Sequence, residues 1–190
     1  MKVRDSGMPD EAIWEAFFQP LQILESLGLC QPGAIAVEFG CGYGTFTIPW
    51  AKTTGGIVHA FDIEEDMLAR TSERAAREGL TTVCTHKRDF IAAGTGLADN
   101  SSDAAALFNI LHAENPNVLC GEAFRVLRPG GRLGIIHWRC DVPTPRGPAL
   151  DIRPRPAQCR NWAEKVGFVC DARSEMILPP YHYGISFTKP

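Results

Sequence analysis

The pattern of apolar and polar positions changes its period several times along this chain. Between positions 10 and 27, apolar residues recur at the spacing of one helix face, and Pro20 is expected to kink or split that helix. Short apolar runs of strand length follow, at 34–39, 56–62, 81–87, 103–111 and 132–138. Segments with helical spacing or helical end signals separate these runs, at 45–52, 64–79, 114–131 and 156–168.

This alternation predicts an α/β fold with a doubly wound, mostly parallel sheet that is covered by helices on both faces. The last two predicted strands, near 168–178 and 183–189, have no helix between them, so we expect them to pair as a hairpin. No repeat or domain boundary interrupts the pattern. We therefore expect one domain over 1–190, with an N-terminal helical cap at 1–30, an α/β core at 31–190 and an irregular proline-rich loop at 138–156.

Composition excludes some function classes. The chain has 190 residues, of which 22% are charged and 45% hydrophobic, and a net charge of -3, so no nucleic acid is expected as a partner. Acids near the N-terminus argue against a signal peptide, and no apolar run is long enough to span a membrane, so we expect a cytoplasmic protein without a membrane partner. Seven cysteines without a C-x-x-C pair argue against disulfides and against a metal site, although the cysteines as a set could bind a soft metalloid.

The segment VEFGCGYGTF, at 37–46, places three alternate glycines directly after a strand. Such freedom suits a tight turn or a close backbone approach to a ligand, and ligands of open parallel sheets lie at the carboxyl ends of the strands. The dinucleotide fingerprint fails in both registers, because Thr45 and Thr47 stand where its last glycine is required. Glu38 would repel a pyrophosphate but attract an ammonium or a sulfonium. Together these features favour S-adenosylmethionine as the cofactor.

Two further strand ends agree with an adenosine-bearing cofactor. Asp62 ends the second strand, where its carboxylate could accept hydrogen bonds from both ribose hydroxyls. Asp89 and Phe90 follow the third strand, where an acid could accept from the adenine amino group and a backbone amide could donate to the ring.

These motifs resemble those of class I S-adenosylmethionine-dependent methyltransferases over nearly the whole chain. The glycine segment, HAFDIEEDML, KRDF and EAFRVLRPGGRLGII are similar to that family's cofactor motifs and to its helix, turn and fifth strand. The resemblance implies a Rossmann-like methyltransferase fold of seven strands with the last antiparallel. It also implies transfer of a methyl group to an acceptor that the resemblance does not identify, with S-adenosylhomocysteine as product. The small size of the chain and the absence of an appended domain favour a small-molecule acceptor.

The resemblance assigns roles to individual residues. The glycine loop would line the methionine part, Asp62 the ribose, Ile63 and Met67 the nucleoside, and Asn109 the ammonium group through its backbone. Glu38 stands where the family often has aspartate. The full cofactor set is Glu38, Gly40, Cys41, Gly42, Tyr43, Gly44, Asp62, Ile63, Met67, Asp89, Phe90 and Asn109.

The acceptor side carries weaker signals. His112 and His137 follow the fourth and fifth strands, and either could be a general base or only a hydrogen-bonding loop residue. The loop at 138–156 should lie over the acceptor side, and one of its arginines could hold an anionic group of the acceptor; these are Arg139, Arg146, Arg153 and Arg155. The stretch 181–183, YHY, is interpreted as a hairpin edge. A nicotinamide-dependent oxidoreductase and a non-catalytic S-adenosylmethionine-binding protein remain alternatives.

Overall fold

The structure is a computed structural model of the chain, and it describes residues 10–170 and 174–190. The helices are α1 (Glu11–Glu15), α2 (Pro20–Ser26), α3 (Thr47–Thr54), α4 (Glu65–Arg77), α5 (Phe90–Ala93), α6 (Pro116–Val126) and α7 (Pro156–Lys165), with a 3-10 turn at Leu150–Ile152. The strands are β1 (Ala36–Phe39), β2 (Val58–Asp62), β3 (Val83–Lys87), β4 (Ser102–Phe108), β5 (Leu127–Trp138), β6 (Glu175–Leu178) and β7 (His182–Thr188).

Within the described ranges, seven strands form one sheet in the order β3-β2-β1-β4-β5-β7-β6. The pairs among β1 to β5 are parallel, and β7 runs antiparallel to both β5 and β6. The predicted fold class and the terminal hairpin are therefore confirmed. Because β7 enters between β5 and β6, its first residue lies at the same edge of the sheet as the last residue of β5.

Several element boundaries differ from those that the sequence predicts. The predicted N-terminal helix is split into α1 and α2, with Pro20 at the first turn of α2, where its missing N–H costs nothing. The fourth strand stops at Phe108, because Asn109 has a φ of 57° and leaves the extended conformation. The one-turn helix α5 was not predicted. The predicted strand at 168–178 is reduced to a single bridge of Val169 with Thr188 and to β6, and 171–173 lie outside the described residues.

Two apolar layers cover the sheet. One cluster packs α6 and α7 on one face, and a second packs α2, α3 and the segment around Phe18 on the other. Every residue of β4 is buried, as expected for a central parallel strand that is covered on both faces. The carboxyl ends of β1, β2, β4 and β5, together with the start of β7, therefore share the edge where the chain can build a site.

Candidate functional site

The loop after β1 depends on glycine for its backbone conformation. Gly40, Gly42 and Gly44 have φ angles of 77°, 53° and 73°, in the left-handed region that L side chains rarely adopt. A Cβ atom at Gly44 would also lie 3.0 Å from Oγ1 of Thr71. The Thr71 hydroxyl donates to the Gly42 carbonyl at 2.9 Å, which fastens the loop to α4. The loop is thus a rigid concave turn whose glycines are required by its conformation.

Asp62 anchors this loop from the end of β2. Its Oδ2 accepts a hydrogen bond from the backbone N–H of Gly42 at 2.9 Å, and Oδ1 accepts from the N–H of Glu64 at 3.0 Å. Burial raises the pKa of Asp62, and these N–H donors oppose the rise. Each carboxylate oxygen has more than one lone-pair site, so the group can still receive ribose hydroxyls. Sequence reasoning predicted that ligand role but did not foresee the structural bond to the loop.

Glu38 is buried below the loop. The Thr47 hydroxyl, at the start of α3, donates to its Oε2. Burial raises the pKa of Glu38 to about 8, against the effect of the Thr47 bond and with a contribution from the nearby Asp62. The carboxyl is therefore largely protonated at neutral pH, and a cation bound nearby would favour its ionised form.

The adenine-side residues lie around a small cavity. Ile63, Arg88, Asp89, Phe90 and Ile91 line it. Asp89 caps α5, because its Oδ1 accepts from the N–H groups of Ile91 and Ala92 at 3.2 and 3.0 Å. The fold thus brings three of the residues that the sequence singled out to one place.

The remaining predicted cofactor residues differ in their exposure. Met67 is half-buried on α4. Cys41 is buried beneath the loop against Leu68, and burial raises the pKa of its thiol well above the usual value, so it is a packing residue without thiolate character. Tyr43 is half-buried, and its carbonyl accepts a hydrogen bond at 3.0 Å from Arg74, a residue that sequence reasoning missed.

Asn109 shows the clearest sign of a missing ligand. Both polar atoms of its carboxamide are buried, and neither has a hydrogen-bond partner among residues 10–170 and 174–190. Leaving such groups unsatisfied costs about 1–3 kcal/mol. The residue follows β4 and is next to Ile110, whose Cγ2 would lie 3.1 Å from a Cβ atom on Gly40. The amino-acid end of S-adenosylmethionine, which carries an ammonium and a carboxylate, fits this amide chemically.

The two predicted general bases contact each other. Nδ1 of His112 lies 3.3 Å from Nε2 of His137. His137 is fully buried, and burial together with His112 lowers the pKa of His137 well below its usual value. His112 is half-buried, so of the pair it is the ring that can face an acceptor.

Sequence reasoning missed His182. The β5–β7 register pairs it with Trp138, which places it at the carboxyl edge of the sheet. The ring is fully buried, and within the described part of the chain neither of its nitrogens has a hydrogen-bond partner. Burial, with Arg153 nearby, lowers the pKa of His182 to about 3, so it is neutral. The stretch 181–183 is thus more than a hairpin edge, but only the long-range register could have revealed it.

Two of the four loop arginines have other partners. Arg139 pairs with both oxygens of Asp141 at 2.9 and 2.8 Å. Arg153 is buried and donates to the carbonyls of Pro148, Arg139 and Arg146 at 2.8, 2.9 and 3.2 Å, which makes it an internal brace of the loop. Arg146 and Arg155 are exposed.

Neither a membrane-spanning helix nor a metal-binding group of side chains occurs in the described residues. No helix there is long and apolar enough to cross a membrane. Likewise, that part of the chain holds no group of three or more His, Cys, Asp or Glu side chains arranged to hold a metal ion.

Comparison with known proteins gives a family match and one informative curated relative. A family model described as a methyltransferase domain matches residues 36–131. Nocamycin O-methyltransferase of Saccharothrix syringae is 33% identical over 166 residues, covering 82% of this chain and 52% of that protein. The chain spans about half the length, or less, of the curated relatives that it matches.

Solved structures agree on the fold. A SAM-dependent methyltransferase from Aquifex aeolicus matches with a TM-score of 0.83 and 23% identity, covering 95% of this chain and 94% of that one. The [4+2]-cyclase SpnF matches with a TM-score of 0.77 and 16% identity, covering 98% of this chain and 84% of that one. At these identities the likeness concerns the fold alone, and a shared fold does not specify a reaction.

Proposed function

The chain belongs to the methyltransferase domain family, and on that premise we propose that it binds S-adenosylmethionine at the carboxyl edge of its sheet and transfers the methyl group to a small-molecule acceptor. The observation that carries the proposal is the glycine loop, which Asp62 and Thr71 hold in a left-handed conformation beside the unsatisfied amide of Asn109. The similarity to nocamycin O-methyltransferase supports a small-molecule acceptor.

The residues present fit the cofactor. Asp62 would accept the ribose hydroxyls, and Ile63 and Met67 would pack against the nucleoside. Asp89 and Phe90 would border the adenine at the cavity that they line. The carboxamide of Asn109, rather than its backbone alone, would hydrogen-bond to the amino-acid end.

Glu38 would supply a negative charge below the loop once the cofactor is bound. Bound S-adenosylmethionine supplies a methyl group on a sulfonium sulfur, and transfer to a nucleophile leaves S-adenosylhomocysteine. Glu38 would lose its proton as a cation binds above it, because a nearby positive charge favours the carboxylate. Orientation of the acceptor then provides most of the rate enhancement, for which alignment can supply about 7–11 kcal/mol.

For an acceptor that must lose a proton, we assign that proton to His112. Neutral His137 holds the His112 ring through their 3.3 Å contact and keeps it oriented. Because burial keeps His137 neutral, it does not take up the proton itself, and it places no second positive charge beside a protonated His112. Proton removal therefore falls to one histidine and orientation to the other.

The wider organisation belongs to the same proposal. Residues 1–190 would form one methyltransferase domain, in which the N-terminal helices cap the site and the loop at 138–156 lies over the acceptor side. A cytoplasmic location rests on the cysteine composition, which suits a reducing compartment.

The first experiment is calorimetry with S-adenosylmethionine, S-adenosylhomocysteine and NADH, followed by methyl transfer from labelled cofactor to amines, thiols, phenols and carboxylates. We expect both adenosylated ligands to bind, NADH not to bind, and at least one acceptor class to be labelled. Binding of NADH alone would establish the oxidoreductase alternative instead. Cofactor binding without transfer to any acceptor class would favour the non-catalytic binding protein.

We further propose that the acceptor carries an anionic substituent, held by Arg146 or Arg155. Both are exposed, and arginine grips a carboxylate or phosphate in two places at once. Arg146→Ala or Arg155→Ala should raise the KM for the acceptor roughly tenfold, as expected for a lost charged hydrogen bond. Arg77→Ala, exposed at the end of α4, serves as the control. A change below about threefold in both loop variants contradicts the proposal.

A further inference from the structure

Seven aromatic side chains form a continuous set at the acceptor end of the sheet. We call them the ring cluster: Trp14, Phe17, Phe18, Phe46, Trp138, Tyr181 and His182. Phe46 follows the glycine loop, and the centre of its ring lies 5.2 Å from that of Phe18. The ring centres of Phe18 and His182 are 4.6 Å apart. The cluster thus runs from the cofactor loop to the start of β7.

Trp138 continues the set towards the surface. The centre of its ring lies 4.2 Å from that of His182 and 5.4 Å from that of Phe17. The ring centres of Phe17 and Tyr181 are 5.7 Å apart. Trp138 and His182 are buried, whereas Phe17, Tyr181 and Trp14 are only half-buried. The cluster is therefore a continuous set of packed rings with half-buried members at one end and the buried imidazole at the other.

His182 does not behave as an ordinary core residue. An aromatic core that only fastened α1 to the sheet would be more stable with phenylalanine at this position, because an imidazole without hydrogen bonds loses solvation and gains nothing. The neutral ring has one N–H donor and one acceptor nitrogen, and neither is used within the residues described. An unsatisfied buried polar group calls for an explanation, and a role in binding a ligand is one such explanation.

The charges near the cluster are already paired. The Arg153 guanidinium lies 5.7 Å from the centre of the Trp138 ring, but it donates to three backbone carbonyls. On α1, Glu11 and Glu15 both bind Arg74. What the cluster offers a ligand is therefore ring faces, ring edges and one neutral hydrogen-bonding group. An uncharged planar ring with a hydroxyl group is complementary to these groups. Its ring can make the edge-to-face and offset contacts that aromatic pairs favour, and its hydroxyl can hydrogen-bond to the imidazole.

We propose that the ring cluster binds the aromatic ring of a hydroxylated acceptor and that His182 hydrogen-bonds to its hydroxyl group. This assignment of substrate class rests on the proposed function, because it treats the carboxyl edge beside the glycine loop as the acceptor side. His182 is a binding residue here, and any anionic substituent of the acceptor stays outside the cluster, at the loop of 138–156.

The test uses three neutral probes that differ in one feature each: p-cresol, toluene, which lacks the hydroxyl, and 4-methylcyclohexanol, which lacks the aromatic ring. Their affinities are measured by saturation-transfer NMR with S-adenosylhomocysteine present. We expect p-cresol to bind roughly fivefold or more tightly than each of the others, within the range that one hydrogen bond or one aromatic contact gives. Equal affinities, or no binding of any probe, would overturn the proposal.

Two variants separate the contributions. His182→Phe should remove the preference for p-cresol over toluene while the melting temperature stays the same or rises, since an unsatisfied polar group is removed. A preserved preference in this variant contradicts the role of His182. Phe17→Leu, at the half-buried entrance, should reduce the preference for p-cresol over 4-methylcyclohexanol, and an unchanged ratio contradicts the role of the rings. His86→Phe, on the far edge of the sheet, is the matched control.

Calorimetry on the same samples distinguishes this proposal from the proposed function. If S-adenosylhomocysteine binds but the ring preference is absent, only the substrate class is wrong. If S-adenosylhomocysteine does not bind, the proposed function fails, and a ring preference measured without it would show a ring-binding site of another kind.

Discussion

The polar side chains at the two ends of the ligand-bearing sheet edge differ in whether they have hydrogen-bond partners. At the glycine-loop end, Asp62, Glu38 and Asp89 all accept hydrogen bonds from nearby backbone or hydroxyl donors. Where β4 and β7 reach the same edge, Asn109, which we assign to the amino-acid end of the cofactor, and His182, in the ring cluster, are buried with no partner in the described ranges. The three carboxylates thus have donors within the protein, whereas Asn109 and His182 have no partner. The contrast is one of degree, because Oγ1 of Thr45, directly after Gly44, is also buried without a partner in the described ranges.

This difference teaches how each end is built. The glycine-loop end consists of short motifs in which a strand end meets the loop or helix that follows it. The acceptor end is assembled from segments that are remote in sequence, since Phe18, Trp138 and His182 meet only after the sheet has formed. A fully satisfied polar network gives a rigid binding surface, whereas an unsatisfied one stores a cost that a ligand can relieve.

The largest effect is expected from His112→Ala, which tests whether one end of the edge acts on the acceptor independently of cofactor binding at the other. If His112 takes the proton of the acceptor, kcat for an oxygen acceptor should fall by about 10²-fold or more, the usual contribution of a general base. Affinity for S-adenosylhomocysteine should not change. Steady-state kinetics and calorimetry measure both. The control is His86→Ala, another half-buried histidine, whose Nε2 contacts Nδ1 of His59 at 3.0 Å. An equal loss of cofactor affinity in His112→Ala would show that the two ends are not separate.

Asp62→Ala should weaken cofactor binding at the glycine-loop end. The variant loses the acceptor of two backbone N–H groups as well as the ribose contact, so S-adenosylhomocysteine should bind roughly tenfold to a hundredfold more weakly. Calorimetry gives the dissociation constant, and Asp66→Ala, exposed in the first turn of α4, controls for the loss of a charge. Unchanged affinity would exclude Asp62 from the cofactor site.

Glu38→Gln tests the buried carboxyl through pH. Between its ordinary pKa of 4.5 and about 8, Glu38 is protonated only in the folded protein, so its contribution to stability is lost as the pH rises through that window. From pH 6.5 to 8, Glu38 alone should lower the free energy of unfolding of the cofactor-free protein by on the order of 2 kcal/mol, at about 1.36 kcal/mol per pH unit.

Four histidines titrate in part of the same window. His59, His86, His137 and His182 have lowered pKa values and act in the opposite sense, and their effect extends about one pH unit above the ordinary histidine pKa of 6.5. Glutamine does not titrate, so the contribution of Glu38 is the difference between the two proteins: in urea unfolding from pH 6.5 to 8, the variant should lose less stability, or gain more, than the native protein. Parallel curves for the two proteins would mean that Glu38 is ionised in the cofactor-free fold.

Gly42→Ala should give the smallest effect on stability. A Cβ atom in the left-handed region costs about 1–2 kcal/mol, which corresponds to a few degrees in melting temperature. The melting shift produced by S-adenosylhomocysteine should also be lost, because the loop backbone no longer reaches its conformation. Gly79→Ala is the matched control, because its φ is 67° and nothing lies within 4 Å of an added Cβ atom. This variant should show the same loss of stability from backbone strain but keep the melting shift that S-adenosylhomocysteine produces. A retained shift in Gly42→Ala would place the cofactor elsewhere.

Much of the fold and of the glycine-loop end could be predicted from the sequence. The alternation of periods predicted the α/β class, and the glycines at 40, 42 and 44 marked a loop in which all three have a positive φ. Boundaries were less predictable: the strand at 103–111 ends at Phe108, because the conformation of Asn109 depends on its neighbours. The resemblance named Asp62 and Asn109, but it indicated neither the Gly42 bond nor the unsatisfied amide.

The sequence by itself determined most of the elements, the parallel class of the sheet and the position of the glycine loop. Each of these follows from short-range causes: side-chain periodicity, capping residues and the backbone freedom of glycine. Only the tertiary structure decided that burial raises the pKa of Glu38 to about 8, that His137 contacts His112, and that His182 lies buried among rings. The reason is physical. Solvation and hydrogen bonding of a side chain depend on what the rest of the chain packs against it, and the β5–β7 register that brings His182 to Trp138 is set by the whole sheet.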